Sequence, residues 1–355
     1  MINFLNRLRK KNIFSFISLI IIFFLYIFSF LADFISPYPF DKQFREYSLC
    51  PPTKIHFIDK SGKFHIRPFV YGIRIINPSV GKYREDKDKI YPIKFFVRGN
   101  KRKILGLFPS DLYLFGTEGD GKIFLFGTDI QGRDVFSRVL YGSRISLSIG
   151  LIGVSISFIL GLLFGSISGY FGGKVDNILM RLVEIIMMFP SFYLLLALRA
   201  AFPTDLSTVQ IYFLIVVILS LIGWASLARI IRGMVLSIKE EEFILAAKSL
   251  GISTFRIITK HIIPNTFSYT ITGITLSIPG YILGESALSL IGLGIQEPYP
   301  SWGNMLSVSV GNLRILTSAP WMLLPGFFIF LTIICFNFLG DGLRDITDPS
   351  LNTGY

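Results

Sequence analysis

The chain has 355 residues, 52% of them hydrophobic and 35 of them phenylalanine, with a formal net charge of +12 and a mean hydropathy of +0.59. Length alone would allow two or three soluble domains, but the apolar residues come in long unbroken runs, not in the alternating or amphipathic patterns of a soluble core. The positive charge is divided among separate stretches and is not a nucleic-acid signal. Cys50 is read in a long external segment and Cys335 in the last span, so the two cannot meet and no internal disulfide is implied, and their spacing offers no metal site.

A helix needs roughly 20 apolar residues to cross about 30 Å of hydrocarbon. Ile13–Ala32 is the first such run. It reads as an uncleaved anchor, because it is longer than a signal-peptide core and its exit, SFLADFISPYP, lacks a small-x-small cleavage site. Arg7, Arg9, Lys10 and Lys11 precede it and place residues 1–12 in the cytosol by the positive-inside bias.

Residues 33–143 form a long external segment, also rich in Lys and Arg, but long translocated segments cross largely regardless of charge. Within it KFHIRPFVYGIRII and YPIKFFV alternate aromatic and β-branched residues. DLYLFG and KIFLFG flank TEGDG and predict two strands joined by a turn. CPPTK and KYREDKDK read as surface loops. GTEGDGKI fits a phosphate-loop spacing, yet it has Ile123 where Ser or Thr must hold magnesium, and a strand rather than a helix follows. A hairpin turn is the better account. Before the second span, Thr128 or Asp129 is expected to cap a short interfacial helix. Asp129, Arg133 and Asp134 have no nucleophile or His beside them to suggest catalysis.

Further spans are predicted at Ile145–Tyr170, Ile178–Ala201, Val209–Ala228, Phe267–Leu290 and Trp321–Phe338, six in all. Gly161, Gly165 and Gly169 form a small-residue stripe suited to close helix packing, within the chain or at a subunit interface, with internal packing favoured. Glu184 is expected to pair locally with Arg181. Arg199 is expected to reach the outer interface. Glu285, in the outer part of the fifth span, is expected to face a translocation path or a partner subunit. Residues 341–355 form a cytosolic tail.

Between the fourth and fifth spans lies EEFILAAKSLGISTFRIITKHIIPN, too polar to cross a membrane. Ser237 and Glu240 have capping-box spacing, predicting a helix from about Ile238. Phe243, Ala246, Ala247 and Leu250 make an apolar stripe, and Gly251 suits a left-handed cap. Ser253 or Thr254 starts a second helix with Phe255, Ile258 and Ile262 on its apolar side, which Pro264 ends. Pattern alone allows either a hairpin packed on its own membrane domain or a docking element for a partner.

The stretch EFILAAKSLG followed by HIIP resembles the EAA loop of membrane subunits of ABC importers, with Glu242, Ala246, Ala247, Gly251 and Pro264 at the matching positions. GTDIQGRDVFSRVLYGSRISL, GYFGGKVD, LSLIGLGIQEPYPSWGNML and FNFLGDGLRDITDP are similar, in order, to stretches of the second permease subunit of dipeptide and oligopeptide importers. The resemblance covers Leu125–Pro349 and the position of the first helix, whereas Phe40–Phe124 is longer than the family pattern.

The resemblance implies an all-α polytopic membrane protein of the type I ABC importer kind, to which the residues add six transmembrane helices and a β-rich extracytoplasmic insertion between helices 1 and 2. The permease domain would span 144–340, with its coupling loop at 237–264. Implied partners are a second permease subunit, two cytosolic ATPases and an extracytoplasmic solute-binding protein, in a bacterial cytoplasmic membrane. ATP hydrolysis would fall to the ATPases, and the chain itself would need no cofactor. The implied cargo is a di- or oligopeptide, with oligosaccharides or nickel complexes as alternatives. A secondary transporter would usually carry paired inverted repeats and a membrane-anchored enzyme a catalytic cluster; the sequence displays neither.

Overall fold

Stretches of Ile, Leu and Phe without charge leave the backbone no polar partner in lipid but itself, and the chain accordingly runs through long helices. The computed structural model describes residues 2–77, 82–104, 107–203 and 205–347. The helices are α1 (Ile2–Lys11), α2 (Ile13–Phe30), α3 (Ala32–Ile35), α4 (Val135–Phe171), α5 (Gly173–Met188), α6 (Ser191–Ala200), α7 (Thr208–Ile238), α8 (Glu242–Ser249), α9 (Thr254–Ile257), α10 (Ile263–Leu290), α11 (Trp302–Val310), α12 (Leu313–Ser318) and α13 (Leu324–Thr347). Four strands, β1 (His56–Ile58), β2 (Phe64–Asn77), β3 (Lys82–Ile104) and β4 (Phe108–Thr117), lie between α3 and α4. The chain divides into two units, one of Met1–Ile22, Ser148–Leu288 and Phe330–Tyr355, the other of Phe23–Leu147 and Ser289–Ile329.

Among the described residues four helices are long and apolar enough to cross a membrane, Ile13–Phe30, Val135–Phe171, Thr208–Ile238 and Pro320–Ile346. A fifth crossing results if α5 and α6 count as one, but they meet at 88°. The expected straight span Ile178–Ala201 is therefore broken. Pro190 is the cause: it disfavours helix at Phe189 and supplies the extended turn that opens α6. α10 covers the expected Phe267–Leu290 and has the length, but Thr, Ser, Gly, Pro279 and Glu285 interrupt its apolar character.

The predicted boundaries shift as well. α2 ends at Phe30, α4 begins at Val135 rather than in the 140s, and α13 runs on to Thr347. The remainder of the expected C-terminal tail, 348–355, lies outside the described residues.

In the first unit α4 packs against α7 through the glycine stripe. A Cβ on Gly165 would stand 2.6 Å from the Ala228 carbonyl oxygen, and one on Gly169 2.8 Å from that of Arg232. The stripe thus serves internal packing. α5 is tied to both helices: Asp176 accepts from Arg232 at 2.5 Å through each of its oxygens and from the Ser168 hydroxyl. Val183, Trp224, Ala225 and Ala228 bury the α5–α7 contact. Arg181 and Glu184 form the expected local pair, exposed, at 3.0 Å. Arg199, expected at an interface, is instead buried.

The second unit holds a four-stranded antiparallel sheet in the order β1-β2-β3-β4. β3 pairs with β2 as far as Pro92 and with β4 from Ile93 onward. A residue without an N–H sits where the strand changes partners. KYREDKDK, expected as a loop, is the first part of β3. It forms an exposed ribbon with β2, whose charged residues obscure the alternation normally imposed by a buried face. KIFLFG is not a strand. Its Ile123 and Phe124 amides donate to the Tyr38 hydroxyl and the Thr53 hydroxyl at 3.0 and 2.9 Å, and both side chains are buried. Hydroxyls distant in sequence take the place of a ladder.

The loop before α4 is also tied in. Asp134, rather than Thr128 or Asp129, caps α4, accepting from the amide and hydroxyl of Ser137. Asp129 instead folds its own loop, accepting from the amides of Gln131 and Arg133 and from Arg133 Nε at 2.6 Å. Gly132 is obligatory there: its φ is +73°, and a Cβ would lie 2.0 Å from the Phe44 carbonyl oxygen. Cys50 and Cys335 are both free and buried.

Candidate functional site

The polar hairpin between α7 and α10 has a defined local geometry. α7 runs through Ser237, so the capping-box reading there fails, and the short helix starts one turn later with Glu241 as its extended N-cap. α8 ends in a Schellman turn. The Gly251 amide donates to the Lys248 carbonyl at 3.0 Å, and the Ile252 amide to the Ala247 carbonyl at 3.1 Å. Gly251 carries the φ of +72° this turn requires. A Cβ there would meet nothing within 4 Å, so only its backbone conformation restricts the position to glycine.

Beyond Ser253, the chain stays helical from Thr254 to Leu290. A π turn, Ile258–Ile262, joins α9 to α10. Pro264 therefore does not end the second helix. It cannot donate a helical bond and would crowd the carbonyl four residues earlier, and the wider π turn immediately before it absorbs both problems.

The apolar face divides differently from the predicted stripe. Ile244, Ala247, Ile257 and Ile262 are buried against Ile231 and Val235 of α7. Of the predicted set Phe243, Ala246, Ala247 and Leu250, only Ala247 is buried. Leu250 is 80% exposed and Phe255 78%, with Phe243 and Leu245 also exposed. Glu242 and Pro264 are exposed as well. The eight residues of α8 carry two overlapping apolar sets. The one containing the β-branched Ile244 takes the core, leaving a greasy outer surface ringed by Glu242, Lys248 and Arg256.

The helices flanking this hairpin, α7 and α10, line an open cavity of about 320 Å³ together with α6. Its wall includes Phe192, Leu219, Gly223, Gly280, Tyr281 and Gly284. Tyr281 donates to Ser157 Oγ at 2.5 Å, and Ser157 donates to the Ser220 carbonyl at 2.9 Å, fixing the ring at the cavity's edge. Glu285 is fully buried and is not among the lining residues. No cluster of three or more His, Cys, Asp or Glu suited to a metal occurs among the described residues.

A second constellation escaped the sequence reading. Arg133 and Arg138 both bind Glu297, Arg138 Nη2 reaching its two oxygens at 3.0 and 3.2 Å. With Asp129 they form a charge-balanced group of two guanidiniums and two carboxylates. Burial works against the charge on Glu297, but the guanidiniums of Arg133 and Arg138 outweigh it and hold the carboxyl below its usual range. Burial pushes the adjacent Asp134 carboxyl up to about 7, the Ser137 hydrogen bonds opposing it. Only the neighbouring Gly132 and the short spacing of Asp129 and Arg133 hinted at this group from sequence.

Residues 161–353 match the profile of a family described as the binding-protein-dependent transport system inner membrane component. Residues 3–52 match the N-terminal TM domain of oligopeptide transport permease C. The chain is 45% identical to the dipeptide transport system permease protein DppC of Bacillus subtilis over 68% of its own length and 70% of that protein. It is also 45% identical to the oligopeptide transport system permease protein OppC of Haemophilus influenzae, over 67% of this chain and 70% of that one. The chain belongs to the family of inner-membrane components of binding-protein-dependent transport systems. It is a multi-pass membrane permease subunit of the ABC importer class.

Proposed function

We propose that the chain is one of two membrane subunits of an importer of di- or oligopeptides. It crosses the membrane six times, α5–α6 and α10 each counting as a span, with both termini and the α8–α9 hairpin in the cytosol and the sheet outside. Two ATPases supply the energy, and an extracytoplasmic binding protein delivers the peptide. The relatives' names support the peptide cargo.

The observation that carries the reading is the hairpin's division of labour. One side is welded to α7 by Ile244, Ala247, Ile257 and Ile262, while the other holds Leu250 and Phe255 in the open. An exposed apolar cluster rimmed by charge has the chemistry of a protein-docking surface. Glu242, Ala246, Ala247, Gly251 and Pro264 shape that hairpin, and the cavity walled by α6, α7 and α10 is the proposed path. Glu285, buried on α10, is proposed to stabilise the helix packing or the partner contact rather than to touch the peptide.

Gly251→Trp tests the coupling. The protein should still insert and assemble, and ATP hydrolysis should persist while peptide uptake is lost. Normal uptake by this variant would remove the docking role.

A further inference from the structure

We propose that the β3–β4 hairpin lies on the outer membrane surface, its apolar side chains in the headgroup–acyl boundary and its basic residues against lipid phosphate. The hairpin exposes Phe95 (61%), Phe96 (63%), Leu107 (72%) and Phe108 (67%). It falls between residues 3–52 and 161–353, the two stretches that the family profiles match. Phe108 is on β4, an edge strand of the sheet, and a large apolar patch left in water promotes aggregation.

Their neighbours identify what covers them. α3 begins two residues after the end of α2, so it lies where that helix leaves hydrocarbon. The Phe96 ring is 6.2 Å from that of Phe34 in α3. The Arg102 guanidinium donates twice to the Ser36 carbonyl, at 3.3 Å, and stacks 3.7 Å from the Tyr113 ring. Around the same α2–α3 junction, Tyr141 donates to Asp33, and Arg144 donates to the Ser29 and Phe30 carbonyls. Tyr is a residue type of the membrane–water boundary, and Arg can lay its stem along apolar surface there while its head stays wet. On the helix that leads into α3, Phe24, Phe28 and Phe30 are exposed as well. Arg98 and Lys101 are exposed on the same hairpin. An apolar patch with basic residues beside it fits an interfacial element that favours anionic lipid.

The inference rests on the proposed function only in taking α2 as a span. The assembled transporter is reconstituted into phosphatidylcholine vesicles with and without phosphatidylglycerol, and a nitroxide is placed by Phe108→Cys or, as a second position, Phe96→Cys. Both native cysteines are buried, which directs the label to the new one. A label at Phe24→Cys reports α2, and one at Lys87→Cys reports water. The expected result is that labels at 108 and 96 collide more with oxygen than with a water-soluble nickel chelate, as at 24 and opposite to 87. Phosphatidylglycerol should strengthen that bias, and Arg98→Gln with Lys101→Gln should remove the strengthening. Hairpin labels that behave like the one at 87, while the label at 24 reports lipid, overturn the inference alone. A water-like label at 24 overturns the spanning role of α2 and the inference with it. Labels that are aqueous in vesicles but immobilised by the binding protein would assign the patch to a protein partner instead.

Discussion

Arg138 Nη2 donates to both carboxylate oxygens of Glu297, 159 residues away in sequence, at 3.0 and 3.2 Å. The same carboxylate serves Arg133, and both arginines are almost fully buried. Removing Glu297 leaves two buried cations with Asp129 as their remaining carboxylate. Glu297→Ala should therefore destabilise the protein by about 3 kcal/mol, the low end for breaking a buried pair because Glu297 itself is partly open. The thermal midpoint of the detergent-purified protein measures this, and an unchanged midpoint would count against the network. The pH dependence has a definite sign. The folded-state pKa of Glu297 is depressed, so its contribution is present above the ordinary carboxylate value and is lost as pH falls through the lower folded value.

Asp134 runs the other way. Its folded-state pKa is raised to about 7 from 3.8. Its contribution is therefore complete below 3.8 and is lost as pH rises through about 7. Asp134→Asn keeps a capping oxygen for Ser137 and cannot titrate. The variant should lose less stability than the parent between pH 4 and pH 7, readable from midpoints across that range. Equal slopes would show that this carboxyl does not titrate as described.

Leu250 and Phe255 hold no part of the fold's interior. Leu250→Glu with Phe255→Ser should leave stability within about 0.5 kcal/mol. As central apolar anchors of the proposed docking surface they should each contribute about 2 kcal/mol, a roughly thirtyfold loss of ATPase affinity per residue. Co-purification of the ATPases and peptide uptake give the two readouts. Retention of both would show that the outer face of the hairpin is not the docking surface.

Gly165 is a different kind of position. A Cβ would press on the Ala228 carbonyl and on Ile231, so Gly165→Leu must separate α4 from α7. A loss of about 1–3 kcal/mol is expected from such overpacking, seen as a lower thermal midpoint. Gly280→Ala is the control. A Cβ at Gly280 meets nothing within 4 Å, so its midpoint should change far less.

What could be read from sequence follows from which rules act locally. The left-handed cap at Gly251 and the close packing at Gly161, Gly165 and Gly169 depend on one residue type, and both are present. Pro190 was equally legible, yet the continuous apolar run around it masked the break. The stripe on α8 was misassigned because Phe243 and Ile244 head two apolar sets one residue apart, and only α7 decides which is buried. KYREDKDK lacks the buried face that makes a strand recognisable. The Arg133–Arg138–Glu297 group depends on a loop some 160 residues downstream, and no local pattern announces it.

The unbroken helix from Thr254 to Leu290 has one more consequence. The π turn at Ile258–Ile262 and Pro279 are the two places where this segment can bend between the hairpin and the cavity wall. On the proposed coupling role, a push at Phe255 would reach Gly280, Tyr281 and Gly284 through those two joints, as through a hinged lever. The proposed path would then change shape by the swing of one wall, and the two joints would set how much of a nudge at the hairpin arrives there.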